Sequence, residues 1–310
     1  MTEAAAAAGR LKRPPLWRSM LYVPANVERF VAGAHRRGAD AIILDLEDSV
    51  PAQERPQARR DLIAHAESVA RGGADVVVRI NRSWRQAMLD LEAAISPSVQ
   101  ALAVTKVDSA DHVRLLAEVV GELEAERGMA VGTTQFMVMV ETAAAFFRMP
   151  EIARADPRIV AMTLGAEDFA LSVGMVPEPE GLFWPKQQLV VAARAAGVMP
   201  LGFVGTVADY GDLDAFRATV RRARRLGFLG ASVIHPSQVP ILNAEFAPSA
   251  EEVESARRIV VAYKEAEAAG RGSIAVDGKM IDVPVVERAH RTLARDAAVQ
   301  ERERRRAAGP

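Results

Sequence analysis

The chain has 310 residues, of which half are hydrophobic, with a formal net charge of -1 and no cysteine. This charge gives no case for a nucleic-acid partner, and the missing cysteine excludes disulfides, thiolate metal sites and cysteine nucleophiles. No apolar run approaches the roughly 20 residues that a membrane-spanning helix needs, so the sequence predicts a soluble, cytoplasmic protein with no membrane partner.

The chain predicts a regular alternation of strands and helices after a flexible leader, residues 1–17, that has no hydrophobic signal core. The predicted strands are short apolar runs of the kind buried in parallel sheets: Ser19–Val23, Ala41–Leu46, Val76–Ile80, Ala101–Lys106, Phe136–Val140, Ile159–Leu164, Pro200–Val204 and Ala231–Ile234. The predicted helices are Val27–Arg37, Glu54–Arg71, Ser83–Ile95, Ala110–Arg127, Thr142–Ala153, Pro185–Ala196, Asp212–Leu226 and Pro236–Glu245.

Eight such units predict an α/β protein, a (β/α)8 TIM barrel over residues 18–247. A doubly wound open sheet is the alternative, but no GxGxxG follows the first strand. Residues 248–310 differ in pattern: a long charged helix, Ser249–Ala269, a loop or hairpin, Ser273–Pro284, and a final helix, Val285–Arg306. We expect this C-terminal extension to pack on a neighbouring subunit.

Charged residues end three of the apolar runs, namely Arg79, Glu141 and Asp168. The C-terminal ends of barrel strands are where active sites lie. Two carboxylates there suit Mg²⁺, and scarce histidine argues against zinc. Helix capping is the competing explanation for both acids, and Glu167 is as good a candidate as Asp168 on local grounds.

A strand arginine such as Arg79 needs an anionic partner. Asp45, Glu47 and Asp48 follow the neighbouring strand, so Arg79 is expected to serve as an ion-pair partner and as a clamp for a substrate carboxylate. Spacing leaves open which of the three acids faces inward. For His235, after the eighth strand, a structural hydrogen bond is favoured over a general base.

Several ordered motifs resemble one family over about residues 18–291. They are RSMLYVPANVERF, AIILDLEDSVPAQER, VVVRIN, VMVETAAAF, TLGAEDFA, LGFLGASVIHPSQV and DGKMIDVPVVERA. Together they resemble the HpcH/HpaI aldolase/citrate lyase family, in the citrate lyase β-subunit-like branch of citramalyl-CoA and malyl-CoA lyases. The resemblance implies a barrel with a C-terminal lid extension, Mg²⁺, and a homotrimer or hexamer.

The resemblance also implies roles for individual residues. The metal ligands fall on Glu141 and on Asp168 rather than Glu167, and the substrate-binding arginine on Arg79. Tyr22 and Arg29 match the motif that contacts coenzyme A. Asp282 matches an acid/base aspartate that relatives often take from the adjacent subunit.

The implied reaction is Mg²⁺-dependent carbon–carbon cleavage of a 3-hydroxy-3-carboxyacyl-CoA to acetyl-CoA and a 2-oxoacid. The alternatives are a malyl-CoA-type thioesterase, an aldolase acting on free acids, and the β subunit of a carrier-dependent citrate lyase complex. Two departures from the family pattern put the usual substrate in doubt. Val204 occupies a position that is commonly acidic, and Trp184, Pro185 and Lys186 form an unusual segment.

Overall fold

Eight parallel strands form a closed barrel. A computed structural model of the chain describes residues 15–206, 211–276 and 278–308. The sheet has the strand order β7-β6-β5-β4-β3-β2-β1-β8, and a parallel bridge from Leu201 to Gly230 joins its two edges. The strands are β1 (Ser19–Pro24), β2 (Ala41–Asp45), β3 (Asp75–Ile80), β4 (Ala101–Val104), β5 (Gln135–Val140), β6 (Ile159–Leu164), β7 (Met199–Leu201) and β8 (Ala231–Val233). The predicted (β/α)8 barrel is confirmed.

Helices alternate with these strands. They are α1 (Glu28–Ala34), α2 (Arg55–Ala70), α3 (Trp84–Ala94), α4 (Ala110–Glu126), α5 (Ala143–Phe146), α6 (Met149–Ile152), α7 (Ala166–Val173), α8 (Pro179–Ala195), α9 (Leu213–Arg225) and α10 (Val239–Glu245). Asp212 caps α9, as predicted, by accepting hydrogen bonds from the N–H groups of Asp214 and Ala215.

Three predicted elements differ from the structure. The predicted helix Thr142–Ala153 is two single-turn helices, because the backbone leaves the helical region at Arg148 (φ -104°, ψ 4°) and α6 restarts with Pro150 in its first turn. Helix α7 was not predicted, and α8 begins at Pro179 rather than at Pro185. Strand β7 ends before the predicted Val204, because Gly202 takes a positive φ of 132°.

Apolar side chains fill both faces of the sheet. Inside the barrel, residues of alternating positions such as Met20, Ile43 and Val77 form one buried cluster, while the intervening positions pack against the helices. This two-sided burial explains why the strands are continuous apolar runs rather than alternating ones. Trp17, placed at the end of the predicted leader, is fully buried, and its Nε1 donates to Asp75 Oδ2 at 2.7 Å.

The chain divides into two compact units, Met1–Phe246 and Ala247–Pro310. The second unit contains α11 (Ala250–Ala268), an antiparallel hairpin of β9 (Ile274–Val276) and β10 (Lys279–Ile281), and α12 (Val283–Ala308). Ser249 and Glu252 form a capping box at the start of α11. None of the helices within the described residues is long and apolar enough to cross a membrane.

Candidate active site

A cavity of about 810 Å³ opens at the C-terminal ends of the barrel strands. Its lining combines acids, cations and aromatic rings from several strands and loops. Among these residues are Tyr22, Phe30, Arg37, Asp45, Asp48, Arg79, Glu141, Glu167, Asp168, Lys186, Phe203 and His235. The barrel therefore brings together Arg79, Glu141 and Asp168, which are 89 positions apart in the chain from first to last.

Arg79 is held in a network of acids. Its Nε and Nη2 donate to Asp45 Oδ1 and Oδ2, each at 2.6 Å, and its Nη1 lies 3.0 Å from Glu47 Oε2. Burial opposes ionisation of Asp45, but the hydrogen bonds and the charge of Arg79, together with hydrogen bonds from Ser49 and the Glu47 N–H, outweigh it and hold the pKa of that carboxyl below its usual value. The predicted ion pair is present, and Asp45 is the acid that makes it most closely, whereas the side chain of Asp48 is mostly exposed.

Glu141 is buried, with 3% of its surface exposed. Its Oε2 accepts a hydrogen bond from the Lys106 N–H at 3.0 Å. Thr142, not Glu141, caps α5, because Thr142 Oγ1 accepts from the Ala145 N–H. Burial, followed by the charges of Asp168 and Glu47, raises the pKa of Glu141 to about 8. A capping role therefore does not explain this carboxyl group.

Asp168 and Glu167 both line the cavity but differ in surroundings. Asp168, in the first turn of α7, is half-buried, and its charge is among the causes that raise the pKa of Glu141. Glu167 is exposed and accepts a hydrogen bond from Thr206 Oγ1. These differences support Asp168 as the partner of Glu141.

The carboxylates of Glu141 and Asp168 suit a magnesium ion. The charge of Asp168 raises the pKa of Glu141 more than the charge of either Lys106 or Arg79 lowers it. Mg²⁺ takes one or two carboxylates, with water or substrate oxygens in its other positions. Gly165 provides the space, because a Cβ there would lie 2.8 Å from Glu141 Cγ. Among the described residues no cluster of three or more acids or histidines is arranged to hold a metal ion.

Lys106 is a site residue that the sequence analysis missed. Its backbone is left-handed, with φ 49°, a conformation that costs a lysine about 1 kcal/mol. This conformation aims its N–H at Glu141, while its Nζ lies 2.5 Å from Glu47 Oε1. The signal that singled out Arg79, a charge at the end of an apolar strand, applied equally to Lys106.

The other predicted site residues differ in whether they line the cavity. The Tyr22 ring packs against the Arg79 guanidinium, with 4.9 Å from Cζ to the ring centroid. Arg29 is exposed on α1 and does not line the cavity, whereas Phe30 does. Asp282, in the second unit, accepts a backbone hydrogen bond from Val285 in the first turn of α12. His235 Nδ1 accepts from the Ser237 N–H at 3.3 Å, which supports the structural interpretation.

Of the residues that depart from the family pattern, some line the cavity and others do not. Val204 is buried in the apolar cluster that packs between the sheet and the helices, and it does not line the cavity. Trp184 is exposed and packs on Phe146, with ring centroids 5.1 Å apart. Lys186 is buried and lines the cavity, so it is the member of the unusual segment that reaches the site.

Comparison with known proteins gives consistent matches. The family model described as HpcH/HpaI aldolase/citrate lyase matches residues 18–236. Citrate lyase subunit beta of Leuconostoc mesenteroides subsp. cremoris is 33% identical over 281 residues, covering 90% of this chain and 92% of that protein. A (3S)-malyl-CoA thioesterase of Cereibacter sphaeroides is 35% identical over 288 residues, covering 91% and 95%.

A similar fold occurs in a solved structure, the protein CitE of Mycobacterium tuberculosis in complex with magnesium, acetoacetate and coenzyme A. It is 30% identical, with a TM-score of 0.70, and the match covers 93% of this chain and 100% of that one. That relative thus holds a magnesium ion and a coenzyme A molecule on a barrel similar to this one.

Proposed function

The chain belongs to the HpcH/HpaI aldolase/citrate lyase family of carbon–carbon lyases, and we propose that it cleaves a 3-hydroxy-3-carboxyacyl-CoA of the citramalyl-CoA or malyl-CoA type with Mg²⁺. The products are acetyl-CoA and a 2-oxoacid. The observation that carries this proposal is the pairing of buried Glu141 with Asp168 in the cavity that also contains Arg79. The relative crystallised with magnesium and coenzyme A supports it.

Glu141 and Asp168 would hold the ion, and Arg79 would orient the substrate carboxylate. The ion, when bound, supplies Lewis acidity at the oxygen that becomes the keto group. Asp45 and Glu47 keep the guanidinium of Arg79 at a fixed position and leave part of its fork for a ligand. A fixed donor of this kind lowers the entropic cost of aligning the bond that breaks.

Cleavage breaks one carbon–carbon bond and transfers one proton, in net terms, from the substrate hydroxyl to the neighbouring CH₂ carbon. The substrate hydroxyl loses its proton to solvent, a carbonyl forms at the carbon that bore the hydroxyl, and the bond from this carbon to the neighbouring CH₂ breaks. The electron pair becomes the enolate of acetyl-CoA. Asp282, in the role that the resemblance implies, delivers a proton taken up from solvent to the former CH₂ carbon of the enolate, which completes acetyl-CoA.

Product analysis tests the proposal. The purified protein is incubated with Mg²⁺ and with citramalyl-, malyl- or β-methylmalyl-CoA, with and without a chelator, and the products are identified by mass spectrometry. Chelator-sensitive release of acetyl- or propionyl-CoA with a 2-oxoacid is expected. No cleavage of any of these thioesters would contradict the proposal.

One second function has specific support, since a relative is a (3S)-malyl-CoA thioesterase. In that reaction water attacks the thioester, so free CoA and an intact hydroxydiacid appear without acetyl-CoA. The same product analysis separates the two. A carrier-dependent subunit would instead act only on the substrate bound to an acyl-carrier protein.

A further inference from the structure

Lys186 is a buried lysine that enters the cavity from α8. Only 4% of its surface is exposed, and its Nζ donates to the Leu164 carbonyl at the end of β6, at 2.8 Å. A Cβ on Gly202 would lie 3.5 Å from that Nζ, so the ammonium lies between the ends of β6 and β7. The mechanism proposed above makes no use of it.

Unlike Arg79 and Lys106, Lys186 has no acidic partner among the residues that the structure describes. Arg79 is paired with Asp45, and Lys106 with Glu47. Burial lowers the pKa of Lys186 to about 8, and no acidic side chain in the described part of the chain counters that effect. An ammonium has three N–H donors, and the Leu164 carbonyl occupies one. Burying such a group is costly unless a ligand compensates for its lost hydration.

Strand order places Lys186 across the barrel from Arg79. In a closed ring of eight, β3 is opposite β7, and both cations line the same cavity. Glu141 and Asp168 lie at the ends of β5 and β6, on the arc between them. A ligand bound at Arg79 and the metal therefore presents its far end to the wall that contains Lys186.

We infer that Lys186 contacts the substrate, and that its Nζ donates a hydrogen bond to an anionic oxygen of the bound acyl group other than the carboxylate held by Arg79. This inference rests on the proposed function for the identity of the ligand. The oxygen has two possible sources. One is a second carboxylate, in a substrate of the same class that releases oxaloacetate rather than pyruvate or glyoxylate. The other is the enolate oxygen that forms on the thioester as the bond breaks.

Two substitutions distinguish the effect of the Lys186 charge from the effect of its hydrogen bond to the Leu164 carbonyl. Lys186→Met keeps the length of the side chain and removes both the charge and the donor. Lys186→Gln removes the charge but keeps an N–H that can serve the Leu164 carbonyl. Lys264→Met, at an exposed lysine of α11, is the matched control. Melting temperature and Mg²⁺ affinity report whether each variant is folded and able to bind metal.

Binding and turnover are then measured separately. Oxaloacetate, with two carboxylates, and pyruvate, with one, are titrated into the Mg²⁺-loaded proteins, and kcat and KM are measured on the CoA thioester panel. If the oxygen is a second carboxylate, both Lys186 variants bind oxaloacetate about tenfold to a hundredfold more weakly and pyruvate unchanged. If it is the enolate, kcat falls by a similar factor and the affinities stay the same.

If Lys186 only supports the structure, Lys186→Gln binds ligand and turns over substrate as the unsubstituted protein does, and only Lys186→Met is impaired in these properties. That result, or equal binding and turnover in all the proteins, would overturn the inference. If the unsubstituted protein cleaves no thioester but its oxaloacetate affinity depends on Lys186, the proposed function fails and the contact stands. If the unsubstituted protein neither binds oxaloacetate nor cleaves a thioester, the proposed function and the Lys186 contact are both contradicted.

Discussion

At the scale of single residues, the burial of Glu141 makes its proposed role as a metal ligand testable by pH. Its carboxyl group has a pKa of about 8 without metal, so it is protonated below pH 8 and ionised above it. Mg²⁺ must displace that proton. We therefore expect the Mg²⁺ affinity to fall about tenfold for each pH unit between pH 8 and pH 6, measured by calorimetry. A flat profile in that range would contradict the assignment of Glu141 as a ligand.

Gly165 offers a steric test of the same site. Its backbone (φ -69°, ψ 110°) suits any residue, so strain does not require glycine there. A Cβ would lie 2.8 Å from Glu141 Cγ and 2.9 Å from its Oε1. We expect Gly165→Ala to displace the carboxylate and to weaken Mg²⁺ binding at least about tenfold while the fold persists.

The matched control is Gly121→Ala on α4, where the added Cβ meets its neighbours at 3.5 Å, an ordinary contact. Calorimetry of Mg²⁺ binding, with circular dichroism as the check on folding, distinguishes the two variants. Unchanged metal affinity in Gly165→Ala would show that Glu141 does not need its present position.

Sequence could identify those site residues whose charge interrupts an apolar strand. This signal singled out Arg79 and Glu141, which line the cavity, and could have singled out Lys106, whereas the family resemblance chose Asp168 over Glu167. Lys186 was singled out only as part of a segment that departs from the family pattern, because it lies within a helical pattern and its burial depends on how α8 packs against β6 and β7. The local sequence pattern likewise made Glu167 and Asp168 equally good candidates for a metal ligand, since only the tertiary structure shows which of them is exposed.

At the scale of elements, one ion pair connects α4 with the starts of β5 and β6. Glu124 accepts hydrogen bonds from Arg158 Nη1 and Nη2 at 2.9 and 2.7 Å and from the Thr134 N–H at 2.6 Å. Burial opposes its ionisation, but the hydrogen bonds, led by Arg158, lower the pKa of Glu124 to about 2. Its contribution is complete above the ordinary carboxyl pKa and is lost as the pH falls from there towards 2.

Breaking this pair leaves the buried Arg158 without its partner. We expect Glu124→Gln to lower the free energy of unfolding by about 3 kcal/mol, measured by urea denaturation at pH 7. Glu122→Gln, at an exposed glutamate of the same helix, should change it little. Equal stability of the two variants at pH 7 would contradict the role given to Glu124.

Strands were easier to predict than helices in this chain. Burial on both faces makes each strand a continuous apolar run, so β1 to β6 were located within one or two residues. Helices α5 and α6 were merged, because the turn at Arg148 has no glycine before Pro150 to mark it. The start of α8 was missed because Pro185, a residue typical of helix starts, lies within the helix.

At the scale of the whole molecule, ring closure explains why distant residues share one site, and the barrel could be predicted from eight alternating units.

The role of the second unit depends on Asp282. If Asp282 protonates the enolate, Asp282→Asn should reduce kcat about a hundredfold or more while Mg²⁺ affinity is unchanged. Steady-state kinetics and calorimetry measure the two quantities, and normal turnover would remove Asp282 from the mechanism.

Assembly offers a separate test, because the family resemblance implies a trimer or hexamer in which a neighbouring copy supplies that aspartate. Mixing Asp282→Asn with Glu141→Gln under conditions that exchange subunits should then restore part of the activity, since some sites receive both intact residues. Light scattering of each variant confirms that the oligomer persists. No recovery from exchanged mixtures would place Asp282 and Glu141 of one site in the same copy.

The most direct test of the central claim is an Mg²⁺ titration of 2-oxoacid release in Asp168→Asn and Glu167→Gln, two adjacent acids that line one cavity. We predict that Glu167→Gln follows the unsubstituted protein and that Asp168→Asn loses saturable dependence on Mg²⁺. The reverse pattern, or normal titration of both variants, would contradict the assignment of Glu141 and Asp168 as the metal site of a carbon–carbon lyase.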